Sequence, residues 1–190
     1  VYQKKQESVT EGYFMLISKK MNAAINEQIG YEFAASLQYV AIASHFAGEG
    51  LTCLADHFYK QANEERDHAM RFVNYINEAG GRVGIPAIKA PKSEFKTVED
   101  AVKLSLDQEK EVTKKINDLV ELAIKESDHI SHNMLSWFVK EQLEEVSSMD
   151  NLLKVVQRAG EKNLLYVEEY VARHRARATG IPGDPTGGVS

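Results

Sequence analysis

Four carboxylates and one imidazole stand where this chain should otherwise be apolar. Glu32, Glu65, Glu109 and Glu145 each fall near the middle of a long stretch whose apolar residues recur every three or four positions, and each lies in that apolar row. His68 follows in the run Glu65-Arg66-Asp67-His68, so one helical turn brings the Glu65 and His68 side chains into the same space. Acidic residues number 28 of 190, and four independent seam positions would all be acidic by chance roughly 0.0005 of the time, or on the order of a percent once the choice of level and seam is allowed for. Bare carboxylates gathered at one level of a helical core are disfavoured by desolvation and by mutual repulsion. Cations must therefore sit among them, and the pattern predicts a carboxylate-bridged dinuclear metal site. Oxygen ligands with a single imidazole suit a hard or borderline metal such as iron or manganese better than a thiolate metal. Two dications would balance four carboxylates. With so few protein ligands per metal, positions stay open for water or dioxygen, so an iron pair there could react.

Four long helices must hold these residues level. The first is expected from about Ser18 to Phe46, with Met21, Ile25, Ile29, Glu32, Ser36, Tyr39, Ala43 and Phe46 on its seam, ended by Gly48 and Gly50. A second, from about Thr52 to Ala79, carries Leu54, Phe58, Gln61, Glu65, His68, Phe72 and Tyr75, and Gly80-Gly81 closes it. Residues 82 to 96 contain Pro86 and Pro91 and no sustained period. Such a connection, if extended, spans roughly 50 Å, enough to cross the whole bundle. Thr97, with Glu99 and Asp100 behind it, reads as the N-cap of a third helix through Val102, Leu106, Glu109, Val112, Ile116, Val120 and Ala123. A break at Ser127-Asp128 leads to a fourth, with Leu135, Phe138, Gln142, Glu145, Met149, Leu152 and Val156, which Gly160 ends. A short amphipathic fifth helix carries Leu164, Leu165, Val167, Tyr170 and Val171. The expected divisions are a loosely held arm over 1–17, the bundle over 18–160, the fifth helix over 161–176 and a flexible tail over 177–190.

Composition removes several classes of function. A formal charge of -5 argues against nucleic-acid binding, which wants a basic stripe, and suits a protein that handles cations. No stretch suggests a membrane span, and Phe14-Met15-Leu16-Ile17 is too brief for a signal core. The lone Cys53 supplies neither a disulfide nor a thiolate cluster and reads as a small buried hydrophobe, consistent with a reducing, cytoplasmic setting.

Three stretches carry a family resemblance: Asn26-Glu27-Gln28-Ile29-Gly30-Tyr31-Glu32-Phe33, Ala62-Asn63-Glu64-Glu65-Arg66-Asp67-His68-Ala69, and Trp137-Phe138-Val139-Lys140-Glu141-Gln142-Leu143-Glu144-Glu145. With them the chain resembles non-haem ferritins of bacterial type from about Ser18 to His174. The resemblance implies an all-α, up-down-down-up four-helix bundle with a long crossover between helices two and three and a short fifth helix. It implies a first ferroxidase iron held by Glu32, Glu65 and His68, and a second by Glu65 as a bridge, Glu109 and Glu145, with Gln142 close by. A third iron position maps onto Glu64, Glu141 and Glu144, for which the competing reading is a solvated acidic face. Tyr39, two turns beyond Glu32, would lie beside the site and hydrogen-bond a ligand or lend an electron, or else simply pack. Trp137 would stack near the third position. His45, His57, His129, His132 and His174 fall off the metal level.

The implied activity is oxidation of Fe(II) by dioxygen, with Fe(III) stored as a hydrated oxide mineral inside a homo-oligomeric cage of 24 subunits. The alternative is a di-iron oxidase or peroxidase on the same bundle without a storage cage. Bacterioferritins and rubrerythrin-like proteins carry a second Glu-x-x-His on the fourth helix, where this chain has Gln142-x-x-Glu145. The haem methionine of bacterioferritins falls where this chain has Arg66, so no haem is expected.

Overall fold

A computed structural model describes residues 15–179. The chain forms α1 (Lys19–Gly48), α2 (Thr52–Glu78), α3 (Val98–Lys125), α4 (His129–Ala159), a 3-10 turn (Glu161–Asn163) and α5 (Leu164–Thr179). The four long helices begin and end within about two residues of the expected positions, because local caps and breakers set those ends. Ser18 Oγ accepts from Met21 N, Thr97 Oγ1 from Asp100 N, and an Asp128 carboxylate oxygen from Ser131 N. Gly80, at φ 72°, turns the chain out of α2 through the left-handed region.

Which helix ends lie together follows from the core. One apolar cluster joins the C-terminal half of α1 (Tyr39 to Phe46), the N-terminal halves of α2 (Leu54 to Ala62) and α3 (Val98 to Leu106), and the C-terminal part of α4 (Met149 to Val156). The other joins the opposite halves, with Met21, Ile25 and Ile29 against Phe72, Ile76, Ile116, Leu135 and Phe138. Helices α1 and α4 therefore run one way and α2 and α3 the other, which is the up-down-down-up order. The two clusters do not meet along the seams. Between them lies the layer that contains Glu32, Glu65, His68, Glu109, Gln142 and Glu145.

The crossover from α2 to α3 runs along α1, and amides on α1 hold its backbone. Asn22 donates to Arg82 O at 3.0 Å and accepts from Arg82 N at 2.9 Å, Asn26 donates to Arg82 O and accepts from Gly84 N, and Gln38 makes the same two-way pairing with Lys92. Each amide thus replaces a strand partner that the loop lacks. Pro86 seats directly on Gly30, where an added Cβ would come within 2.4 Å of the proline Cγ.

Helix α2 has no side-chain cap of its own at Leu51. Glu168 of α5 supplies one from a distance, accepting from both Cys53 N and Leu54 N at 2.8 Å. Glu161 likewise accepts from Val98 N at the start of α3. Helix α5 buries Val167 and Val171, whereas Leu165, expected on its apolar face, is 82% exposed. It continues to Thr179, beyond the expected end at 176. The arm is anchored at its inner end, where Ile17 is buried and Leu16 N donates to Ala79 O at 2.8 Å. Residues 1–14 of the arm and 180–190 of the expected tail lie outside the described residues. Cys53 is half-buried, with burial raising its thiol pKa.

Candidate metal centre

The seam acids come together as read. Glu32 from α1, Glu65 and His68 from α2, Glu109 from α3 and Glu145 from α4 are all buried, with exposures of 0–8%. Ligand atoms of Glu32, Glu65 and His68 lie within 4.8 Å of one another, as do those of Glu65, Glu109 and Glu145. Glu65 belongs to both groups. His68 Nδ1 is 3.6 Å from Glu65 Oε2 and 3.6 Å from Glu145 Oε1, too far for good hydrogen bonds to either.

Each outer carboxylate gives one oxygen to a neutral donor. Gln28 Nε2 donates to Glu32 Oε1 at 2.8 Å, the Tyr39 hydroxyl donates to Glu109 Oε1, and Gln142 Nε2 donates to Glu145 Oε2. What is left over is informative. Glu32 Oε2, Glu109 Oε2, both oxygens of Glu65 and Nδ1 of His68 are buried without a hydrogen-bond partner. Five orphaned Lewis-basic atoms in one pocket would be a severe defect in an ordinary core. As a donor set they fit two metal ions that share Glu65.

Electrostatics agrees. Burial, followed by the Glu65 charge, pushes the Glu32 carboxyl well above the usual range, and burial with the Glu109 charge does the same to Glu65. Glu109 is also raised by burial, although the Tyr39 hydrogen bond opposes the shift. Glu145 is pushed up to about 11 by burial and then by Glu65. Tyr39 is raised well above its ordinary value by burial and the Glu109 charge, which keeps its hydroxyl a donor. Without cations, protons must take their place.

The remaining candidate residues sit around this core. Gln142 turns its NH2 toward Glu145 and its oxygen outward, with Oε1 2.8 Å from Thr113 Oγ1. Glu141 joins His68 and Glu145 in a third group within 4.8 Å. Glu64 is engaged elsewhere, with Lys60 Nζ 3.2 Å from one oxygen and Gln61 donating to the other, and Glu144 is exposed. Glu64, Glu141, Glu144 and Glu145 nonetheless share a cavity of ≈570 Å³ that opens between α2 and α4 and runs to Tyr170 and His174 of α5. Trp137 stands edge-on to His68, ring centres 5.4 Å apart, under the Arg71 guanidinium at 3.9 Å. His57 also lines the cavity, and burial lowers its pKa to about 4. Sequence reasoning missed Gln28 and Thr113. The available signal was spacing, since each is a polar residue one turn from a seam acid.

Fold and site define a class: four-helix proteins with a buried carboxylate and histidine layer shared by all four long helices. The chain belongs to the ferritin family, the ferritin-like domain family matching residues 22–159. It is 44% identical to the ferritin BfrB of Mycolicibacterium smegmatis over 89% of this chain and 93% of that protein. It is 36% identical to the bacterial non-haem ferritin of Staphylococcus aureus over 81% and 93% of the two chains. Among solved structures, the open pore ferritin of Archaeoglobus fulgidus superimposes with a TM-score of 0.79 at 35% identity, covering 82% of this chain and 98% of that one.

Proposed function

We propose that this ferritin stores iron, oxidising Fe(II) with dioxygen at a dinuclear centre within each subunit and passing Fe(III) to a hydrated oxide mineral inside a 24-subunit cage in the cytoplasm. The observation that carries this reading is the set of five unpartnered atoms on Glu32, Glu65, His68 and Glu109. On it, Glu32, Glu65 and His68 hold the first iron, and Glu65, Glu109 and Glu145 hold the second, with Glu65 as the bridge.

Iron here is substrate. Each Fe(II) yields one electron, so a pair supplies the two electrons that reduce one dioxygen to hydrogen peroxide. In balance, two Fe(II), one dioxygen and four waters give two FeO(OH), one hydrogen peroxide and four protons. The protein's part is to hold both ions at once, with one oxygen of each outer acid anchored and the other free. Tyr39 fixes Glu109 through its hydroxyl and stands close enough to serve as an electron donor. No step requires haem, and Arg66, beside the bridging acid, is exposed and within 3.4 Å of Asp67. Among the described residues no helix is long and apolar enough to cross a membrane. Cage assembly is supported by large apolar side chains that a lone subunit leaves exposed, including Leu143, Leu165 and Tyr166, and by the likeness to ferritin structures.

Anaerobic Fe(II) titration followed by a dioxygen pulse tests the reading. About two Fe(II) per subunit should oxidise in a fast first phase, in a particle of several hundred kilodaltons. Oxidation no faster than in protein-free buffer, or a monomer by gel filtration, would sink it.

The third iron position is proposed at the mouth of the centre, with Glu141 shared toward His68 and Glu145, and with Glu64 and Glu144 on the cavity wall. Iron leaving the pair would pause there, or give a third electron that, with a fourth from Tyr39, takes dioxygen to two waters so that less peroxide escapes. Glu141→Ala with Glu144→Ala should therefore keep the first rapid phase, slow later turnovers and change the iron-to-oxygen ratio. Stopped-flow absorbance with an oxygen electrode reads all three. Loss of the first phase would assign these acids to the pair, and no change in any phase would make them a solvated face.

A further inference from the structure

We infer that Gln28 and Thr113 are positioning residues of the metal centre: Gln28 directly, and Thr113 through Gln142, anchor one oxygen of the two end carboxylates, Glu32 and Glu145, so that each end holds its metal through a defined single oxygen. This rests on the metal-pair reading above and adds to it which residues set the strength of each end.

Gln28 is 2% exposed and Glu32 0% exposed, one turn apart on α1. A buried amide needs a strong reason to point at a carboxylate in a core rather than be replaced by an aliphatic residue. The 2.8 Å bond from Gln28 Nε2 to Glu32 Oε1 supplies that reason, and it leaves only Glu32 Oε2 unpartnered. The terminal torsion of a glutamate is broad and nearly two-fold, so an unanchored carboxylate can swing or bind through both oxygens. An amide donor removes that freedom without adding a charge. A lysine or arginine at 28 would anchor the oxygen too, but would compete with the cation.

The other end repeats the device with one more link. Thr113 Oγ1 lies 2.8 Å from Gln142 Oε1 and 2.8 Å from the Glu109 carbonyl oxygen, so its single proton is shared between two acceptors. Thr113 holds the amide oxygen in this arrangement, and the amide NH2 faces Glu145, to which it donates. Turned the other way, the amide oxygen would face the carboxylate oxygen and lose that bond. Thr113 thereby holds the Gln142 side chain in place, and the acceptor oxygen of Glu145 selects its NH2 face. The central Glu65 has no such anchor on either oxygen, which suits a bridge.

Anaerobic Co(II) titration of the assembled protein, followed by the visible Co(II) absorption and by calorimetry, separates the two ends. The wild-type protein should take up two Co(II) per subunit. Gln28→Met, of similar length and helix propensity, should weaken one position about 10-fold and leave the other within about twofold. Thr113→Val, the near-isostere without the hydroxyl, should do the same to the opposite position, and the double variant should weaken both. The spectral change distinguishes the ends, because the metal-pair reading assigns the His68 nitrogen to the Glu32 end. Both affinities unchanged in Gln28→Met and in Thr113→Val would overturn the inference. So would equal weakening of both positions together with a lowered metal-free thermal midpoint, which would make these residues packing elements. If Gln28→Met does not fold, Thr113→Val decides by the same criteria. A wild-type protein that takes up no Co(II) pair would instead refute the metal-pair reading itself.

Discussion

Glu65→Ala is expected to abolish the fast phase of Fe(II) oxidation, slowing it on the order of 100-fold or more, while the helices and the cage remain intact. The size of the effect follows from position. Glu65 alone belongs to both the Glu32 and His68 group and the Glu109 and Glu145 group, and neither of its oxygens has another partner. On the proposed metal pair, removing it takes a ligand from each ion at once, and even residues one shell further out typically cost 10 to 100-fold in affinity. The substitution should not unfold the metal-free protein, because it deletes a buried acid whose ionisation the core resists. Stopped-flow absorbance after a dioxygen pulse, beside a metal-free melting curve, separates the two effects. A variant that keeps the fast phase would remove Glu65 from the centre.

The layer of seam acids was legible because helical periodicity is a local signal and one face of each helix must be apolar. Glu32, Glu65, Glu109 and Glu145 break that face at mid-length, so their level could be read before any packing was known. The long crossover was legible too, since Pro86 and Pro91 forbid a helix there and the loop is long enough to cross the bundle. What could not be read depends on neighbours distant in sequence. The hydroxyl that holds the far side of the Gln142 amide belongs to Thr113 on another helix, 29 residues away. Glu64 has the chemistry of a ligand, but Lys60 and Gln61 on its own helix engage both its oxygens. Likewise the cap of α2 comes from Glu168, more than 100 residues along the chain, where a local search finds only Leu51. Leu165 followed the apolar pattern of its helix yet faces outward, because α5 offers apolar residues on two sides and a single subunit covers only one.

Metal-free protein should lose stability as pH rises through the neutral range, and bound divalent metal should reverse most of that loss. Glu32, Glu65, Glu109 and Glu145 all have folded-state pKa values above the ordinary carboxylate range, chiefly through burial. A raised acid keeps its proton in the fold at a pH where the unfolded chain has already released it. The folded state therefore binds more protons above roughly pH 4.5, and unfolding free energy falls as pH climbs toward the folded pKa. For Glu145, pushed up to about 11, that window spans the whole physiological range. Each pH unit inside it costs about 1.4 kcal/mol per fully linked carboxylate, so the four together are a major term even after coupling and relaxation reduce it. Divalent ions displace those protons, so loading should release protons and grow tighter with pH. Melting the metal-free and Zn(II)-loaded forms at pH 5.5, 6.5 and 7.5 should show a gap in thermal midpoint that widens with pH. Calorimetric titration in two buffers of different ionisation enthalpy should count the protons released. Glu145→Gln should raise the metal-free midpoint at pH 7.5 by several degrees, because it keeps the shape of the side chain and removes the ionisation cost. A gap independent of pH, or a metal-free protein that grows more stable between pH 5.5 and 7.5, would mean that these carboxylates ionise freely in the fold and that no cation is needed to hold them together.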